Sequence, residues 1–379
     1  MSKITVMNQI PQIRDSICDK WEIGCSQERQ NIENKIRAWI EPVQSDEIVD
    51  LLLELLQHFV YYDSYQVTKQ FNKLYRHDLL SQFSSEEQLL LDSRFFPVTK
   101  DNRKTSSHEI YYSNFTMKLS KNVCLSDVFT FFEKQQWQLP EFENKIMAFD
   151  RAKRQKDKLL SLKTNTSDIS DQKSIKKKID KLKKQEYSLN AQIDEILEKF
   201  HLTQVSNYIF IDDMIGTGET MEKFLKKFVS SFPDNQFIKL TDITIYLIVL
   251  EACEEGVTRI NAFCRNYNIR FCLIKNNDHQ KAFKADHVYD ATCCDNNKEK
   301  IRTFERSIIR SAYPLGYSES EALMAFYHNT PNNTLSSFWH EDSQWKGIFP
   351  RKKHLKPNSK EKKNAAKNVA LERVRYLNS

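Results

Sequence analysis

The chain has 379 residues, 40% hydrophobic and 12% aromatic, which is enough to bury one large core or two modest ones. It contains no run of about 18 uncharged apolar residues, and its opening MSKITVMNQIPQIRD lacks the apolar stretch of a signal peptide, so a cytoplasmic protein with no membrane span is expected. The net charge of +6 is unevenly placed: residues 145–184 carry +9 and residues 352–379 carry +7, leaving a body of −10.

In chain order, residues 31–82 read as helices. Ile36, Trp39 and Ile40, then Ile48, Leu51, Leu52, Leu55 and Leu56, recur at steps of three and four; Tyr61, Tyr62 and Asp63 break the pattern, and Val67, Phe71, Leu74 and Leu79 resume it. Phe95 to Val98 is a short buried strand, followed by a polar loop to Ser107 and a helix from His108. Between Asp150 and Phe200 there is no Gly, Pro or Trp. Ile175, Ile179, Leu182, Leu189, Ile193, Ile196 and Phe200 keep coiled-coil spacing there, interrupted at Glu186, and the polar stretch 164–171 can turn the chain. This predicts an inserted antiparallel coiled-coil hairpin with a basic surface. From Asn207 strands and helices alternate: strands 208–211, 243–250, 270–275 and 322–327, and helices from about 218, over 254–267 and over 297–312. The fold class is therefore α/β, a mostly parallel sheet flanked by helices. The organisation expected is an N-terminal helical region (1–85), an α/β domain (86–351) interrupted by the basic insertion (150–200), and a basic tail (352–379). The eight cysteines, including adjacent Cys293 and Cys294, have neither disulfide-framework nor zinc spacing and read as free thiols.

One segment carries chemistry. The apolar run Tyr208-Ile-Phe-Ile ends in Asp212 and Asp213, passes through Met214, Ile215, Gly216, Thr217, Gly218 and Glu219, and enters an amphipathic helix near Thr220. The glycines let backbone N–H groups turn into a concavity, Thr217 and Thr220 add hydroxyls, and the helix N-terminus favours an anion, so the loop suits a monophosphate. The paired carboxylates suit the vicinal hydroxyls of a ribose. This conjunction resembles the phosphoribosyl pyrophosphate (PRPP) motif of type I phosphoribosyltransferases, four apolar residues before an acidic pair and a Thr-Gly-Gly-Thr loop. Glu219 stands where the second glycine of that loop would be. Hypoxanthine-guanine members also carry a charged residue there, although a carboxylate beside a phosphate weakens binding.

The resemblance implies a second cradle, for pyrophosphate, on the loop after the domain's first strand. The segment that fits is Arg103-Lys104-Thr105-Ser106-Ser107, at a helix start. It also implies Mg²⁺, shared between the ligand and Asp212 and Asp213, and transfer or release of ribose phosphate at its anomeric carbon. The closing segment, with Leu-Gly-Tyr at 315–317, Asn-Thr-Pro-Asn-Asn-Thr at 329–334, Phe338-Trp339 and Phe-Pro-Arg at 349–351, is similar to that of phosphoribosyltransferase-like proteins of bacterial conflict and anti-phage defence elements. That likeness implies partner proteins. The alternative expectation is a module without transfer chemistry that senses a nucleotide and binds a partner protein or nucleic acid through the basic coiled coil. A protein partner is the preferred expectation, because a coiled-coil seam is a shape for docking another helix.

Overall fold

The computed structural model of the chain describes residues 3–99, 106–115, 119, 123–164, 169–200, 205–232, 239–309 and 313–351. Helices α1 (Lys3–Lys20), α2 (Ser26–Ile40) and α3 (Asp46–His58) open it. The break at residues 61–63 has two causes. Residues Val60–Tyr62 form strand β1, and Asp63 then caps helix α4 (Ser64–Lys73): Gln66 N donates to Asp63 Oδ1 at 2.6 Å while the Gln66 side chain accepts from Asp63 N. After α4 come α5 (Glu86–Asp92), β2 (Ser93–Pro97), α6 (Ser106–Asn114), and two long helices, α7 (Val128–Thr164) and α8 (Ile169–Phe200). Next are β3 (Asn207–Ile211), β4 (Met214–Ile215), α9 (Glu219–Ser231), β5 (Thr244–Cys253), α10 (Glu254–Asn266) and β6 (Arg270–His279). The chain closes with α11 (Ala291–Ile308), β7 (Met324–Phe326) and α12 (Ser336–Trp339). Among the described residues, no helix is long and apolar enough to cross a membrane.

Two compact units result, one from residues 1–61 with 282–379, the other from residues 62–281. The boundary expected at 85/86 thus falls inside the second unit, and the closing segment folds with the N-terminal helices. In the first unit the apolar faces of α1 to α3 meet α11 and the closing segment around Trp21, Trp39, Leu52, Phe59 and Phe338. The Phe59 ring stacks between Phe338 and Phe349, 4.8 Å from each, and the indoles of Trp39 and Trp345 both donate to the Ser337 carbonyl at 2.9 Å. Gly316 is needed at its turn: its φ is +79°, and a Cβ there would lie 2.2 Å from the Asn333 carbonyl oxygen. The predicted strand 322–327 is the short β7, and it pairs with β1 instead of extending the parallel sheet.

In the second unit β2, β3, β5 and β6 lie side by side, all parallel, with β4 continuing β3's side of β5. Phe96, Phe210 and Leu247 are in register across three strands and face the core under α7 and α9, where Phe210 meets Phe224 at 4.9 Å and Phe132 meets Phe228 at 5.2 Å. Burial on both faces explains the unbroken apolar runs of β3 and β5. Strands β5 and β6 run several residues past the predicted ends at 250 and 275. On the outer edge of β2, Phe95 N donates to Val123 O at 2.9 Å and Leu125 N to Phe95 O at 3.0 Å. The chain therefore first goes to one side of β2 and later lays β3 on the other. The gap between the carboxyl ends of β2 and β3 is the point at which strand order reverses, the place where open α/β sheets bind ligands.

Helices α7 and α8 pack on each other in antiparallel fashion, with Lys145 Nζ donating to Gln192 at 2.7 Å and Lys156 paired with Glu186 at 2.5 Å. Glu186, the interruption in the apolar seam, is thus met by a lysine of the opposing helix. The first turns of α7 belong to the core through Val128, Phe129 and Phe132.

Candidate phosphate and ribose site

The sheet ladder runs directly into the acidic pair. Asp212 N donates to Ile248 O at 3.1 Å and Leu250 N to Asp213 O at 3.0 Å, so both acids are held by β5 at the carboxyl end of β3. Each carboxylate also accepts from the next residue's N–H: Asp213 N to Asp212 Oδ1 at 2.9 Å, Met214 N to Asp213 Oδ1 at 2.8 Å. Asp212 Oδ1 takes a second donor, the buried Ser107 hydroxyl, at 2.5 Å. Burial, and then the adjacent Asp213 charge, push the Asp212 carboxyl well above the ordinary carboxylate range, with the Ser107 hydrogen bond opposing them.

Met214 and Ile215 pair with Glu251 and Ala252 of β5, and both side chains are buried, so these two residues shape the loop from behind. Gly218 has φ +75° and caps α9; Glu219 and Thr220 open the helix, while Thr217 is buried. The Glu219 carboxylate pairs with Lys223 four residues on, which gives it a partner along the helix exterior. The pair sets a positive charge beside that carboxylate one turn into the helix. Ser106 and Ser107 begin α6, and Lys104 and Thr105 lie outside the described residues. Ser107 is thereby joined to the acidic pair.

Two features escaped the sequence reading. Gly256, in the first turn of α10, lies backbone to backbone with the loop: a Cβ on it would come within 2.2 Å of Gly216 O and 2.9 Å of Gly218 N, and a Cβ on Gly218 within 2.7 Å of Gly256 O. A glycine in a chain with only six, at a strand-to-helix junction, was the available signal. The second is a buried polar cluster on β5 and β6. The Glu251 carboxylate, 2% exposed, accepts from the Tyr62 hydroxyl and from Asn277 at 3.0 Å, and its other oxygen lies 3.2 Å from His279 Nδ1. Burial, with Glu251's charge second, raises the Tyr62 phenol, which keeps it a donor. Glu251 is in register with Met214, so this cluster ties β5 to β6 where β5 supports the loop.

Among the described residues no three or more His, Cys, Asp and Glu side chains gather into a group that could hold a metal alone. The adjacent carboxylates of Asp212 and Asp213 fit Mg²⁺ in its usual protein setting, where one or two carboxylates share the cation with ligand oxygens and water.

An acidic pair and a glycine-pinned helix N-terminus at the reversal point of a parallel sheet agree with the comparison of families: the PRTase-CE model matches residues 36–351. The chain belongs to the PRTase-CE family, a phosphoribosyltransferase-like family. No curated protein and no solved structure matches it. The PRTase-CE match spans both compact units, so the family's sequence includes the closing segment as well as the loop.

Proposed function

We propose that this PRTase-CE protein binds phosphoribosyl pyrophosphate, or a related ribose phosphate, together with Mg²⁺, and serves as an effector or component of a bacterial anti-phage defence system. The observation that carries the ligand reading is the loop from Asp212 to Thr220, fixed by β5 and Gly256 at the sheet's reversal point. The parallel strand order around it supports a phosphoribosyltransferase type of fold. The defence role rests on the likeness of the closing segment.

In this reading the Gly216 to Thr220 segment holds the 5′-phosphate with backbone N–H groups and the α9 dipole. Asp212 and Asp213 accept from the ribose hydroxyls and stand beside the ring, where negative charge favours the positive charge that builds as the anomeric bond loosens. Mg²⁺ between these carboxylates and the ligand would neutralise the departing pyrophosphate. Ser107, expected in the pyrophosphate cradle, donates to Asp212 and in this reading orients that carboxylate. That use of the one described hydroxyl with a defined partner from the second cradle favours a second reading, a module that senses the ligand without transferring it.

Calorimetric titration with phosphoribosyl pyrophosphate and Mg²⁺ tests the ligand. The Asp212→Asn, Asp213→Asn double variant is expected to lose tenfold or more in affinity while keeping its melting temperature; unchanged binding would sink the assignment. Pyrophosphate release with a nucleobase panel separates the two readings, the sensing module giving binding with no release.

A further inference from the structure

The seam expected to dock a partner helix faces α7, which packs on it: Ile179 is buried, and Ile175, Leu182, Leu189, Ile193 and Ile196 are half-buried. What α8 leaves outward is charge. At 100° per residue the seam centres on one side of the helix, and Lys173, Lys177, Lys181 and Lys184, at steps of four, four and three, centre on the opposite side, with Lys176 and Lys183 together along one flank. All six are exposed. Asp180 lies among them, but among the described residues none of the six has a carboxylate within ion-pair distance. Helix α9 shows the contrast, since Lys223 and Lys226 each pair with a glutamate one turn earlier. Lysines repeated at i,i+4 repel one another, so this face carries a small cost that an anionic partner removes. Tyr187, one turn beyond Lys183 on the same side, is 81% exposed and makes no ring contact among the described residues.

We propose that the α8 face from Lys173 to Tyr187, braced by α7, binds the phosphate backbone of nucleic acid without regard to sequence. The face is roughly 21 Å long at 1.5 Å per residue. A duplex offers about one phosphate per 1.7 Å of axis, so six lysines over that length meet phosphates from one side of a groove. Tyr187 supplies a surface for a sugar or an unpaired base at the end of the row. The proposal stands apart from the ribose phosphate site and does not depend on it.

Fluorescence anisotropy with the full chain tests it, using a random-sequence 30-base-pair DNA duplex and single-stranded DNA and RNA of the same length, at salt from 50 to 200 mM. Binding is expected at 50 mM and should weaken by roughly 10²–10³ across that range for the duplex, as four or five neutralised phosphates require. The variant with Lys173, Lys177, Lys181 and Lys184 all changed to Glu should lose at least tenfold in affinity. The corresponding four-Gln variant, which removes charge without adding repulsion, should lose nearly as much with an unchanged far-ultraviolet circular dichroism spectrum, and it decides the matter if the Glu variant unfolds. No binding of any of the three at 50 mM, as an acidic protein partner would give, overturns the proposal. So does binding that both variants retain, which would place the contact elsewhere on the chain.

Discussion

Ser107 and Asp212 are 105 residues apart, yet their 2.5 Å hydrogen bond fixes the orientation of the carboxylate on which the ribose reading depends. Gly256 acts similarly on the neighbouring loop, since its missing side chain lets α10 touch Gly216 and Gly218 by backbone alone. Gly256→Ala would place a methyl group 2.2 Å from Gly216 O, against backbone that cannot rotate away. The loop must therefore shift. Stability should fall by about 1–3 kcal/mol from overpacking, and ribose phosphate affinity should fall more than tenfold, because backbone donors that hold a phosphate tolerate little displacement. Titration calorimetry beside thermal denaturation checks both; a variant that binds normally would show that the loop is not the phosphate cradle.

Among the elements, α7 and α8 differ from the rest in how they are held. The first turns of α7 are part of the core, whereas α8 packs on α7, and Lys145 of α7 meets Gln192 of α8. The chain returns to nearly the point from which it departed. Deleting residues 150–191 and joining the ends with a short Gly and Ser bridge should therefore leave a soluble protein that still binds the ribose phosphate. The melting temperature should change by only a few degrees. Aggregation of the shortened protein, or loss of ligand binding, would show that the outer turns support the sheet. The same deletion removes the lysine face, so nucleic-acid binding should disappear from it.

At the scale of the whole molecule, the pH dependence of stability has one prominent source in the first unit. The fully buried Glu305 carboxyl accepts from Leu315 N at 2.5 Å and from Ser337 N at 2.6 Å, tying α11 to the closing segment. Burial pushes it up to about 7, with those backbone donors opposing. In the unfolded chain it titrates at an ordinary carboxylate value, so between roughly pH 4.5 and 7 the unfolded state loses a proton that the folded state keeps. Stability from this group is thus fully present at the acid end and declines as pH rises through that window, by up to roughly 3 kcal/mol. Above about pH 7 both states are ionised and the trend levels. Glu305→Gln cannot titrate and turns an amide donor toward one of the two N–H groups, so it should be less stable at every pH by about 1–3 kcal/mol and should show a flatter profile between pH 5 and 7. Thermal denaturation at pH 5, 6, 7 and 8 compares the slopes; equal slopes in both proteins would assign the pH dependence to other groups.

Sequence alone determined those parts whose physics is local. The apolar run of β3, its acidic end, Gly218 and the amphipathic α9 are readable from neighbours, because strand period, turn chemistry and helix dipole act within a few residues. The apolar continuity of β5 and the seam of α8 were legible for the same reason. Only tertiary structure decided that residues 322–327 join β1 and not the parallel sheet, that Ser107 serves Asp212, and that Tyr62, Asn277 and His279 gather on Glu251. Those pairings link segments tens to hundreds of residues apart. No local periodicity encodes them; they follow from which surfaces remain to be buried, and which polar groups remain to be satisfied, once the layers have packed.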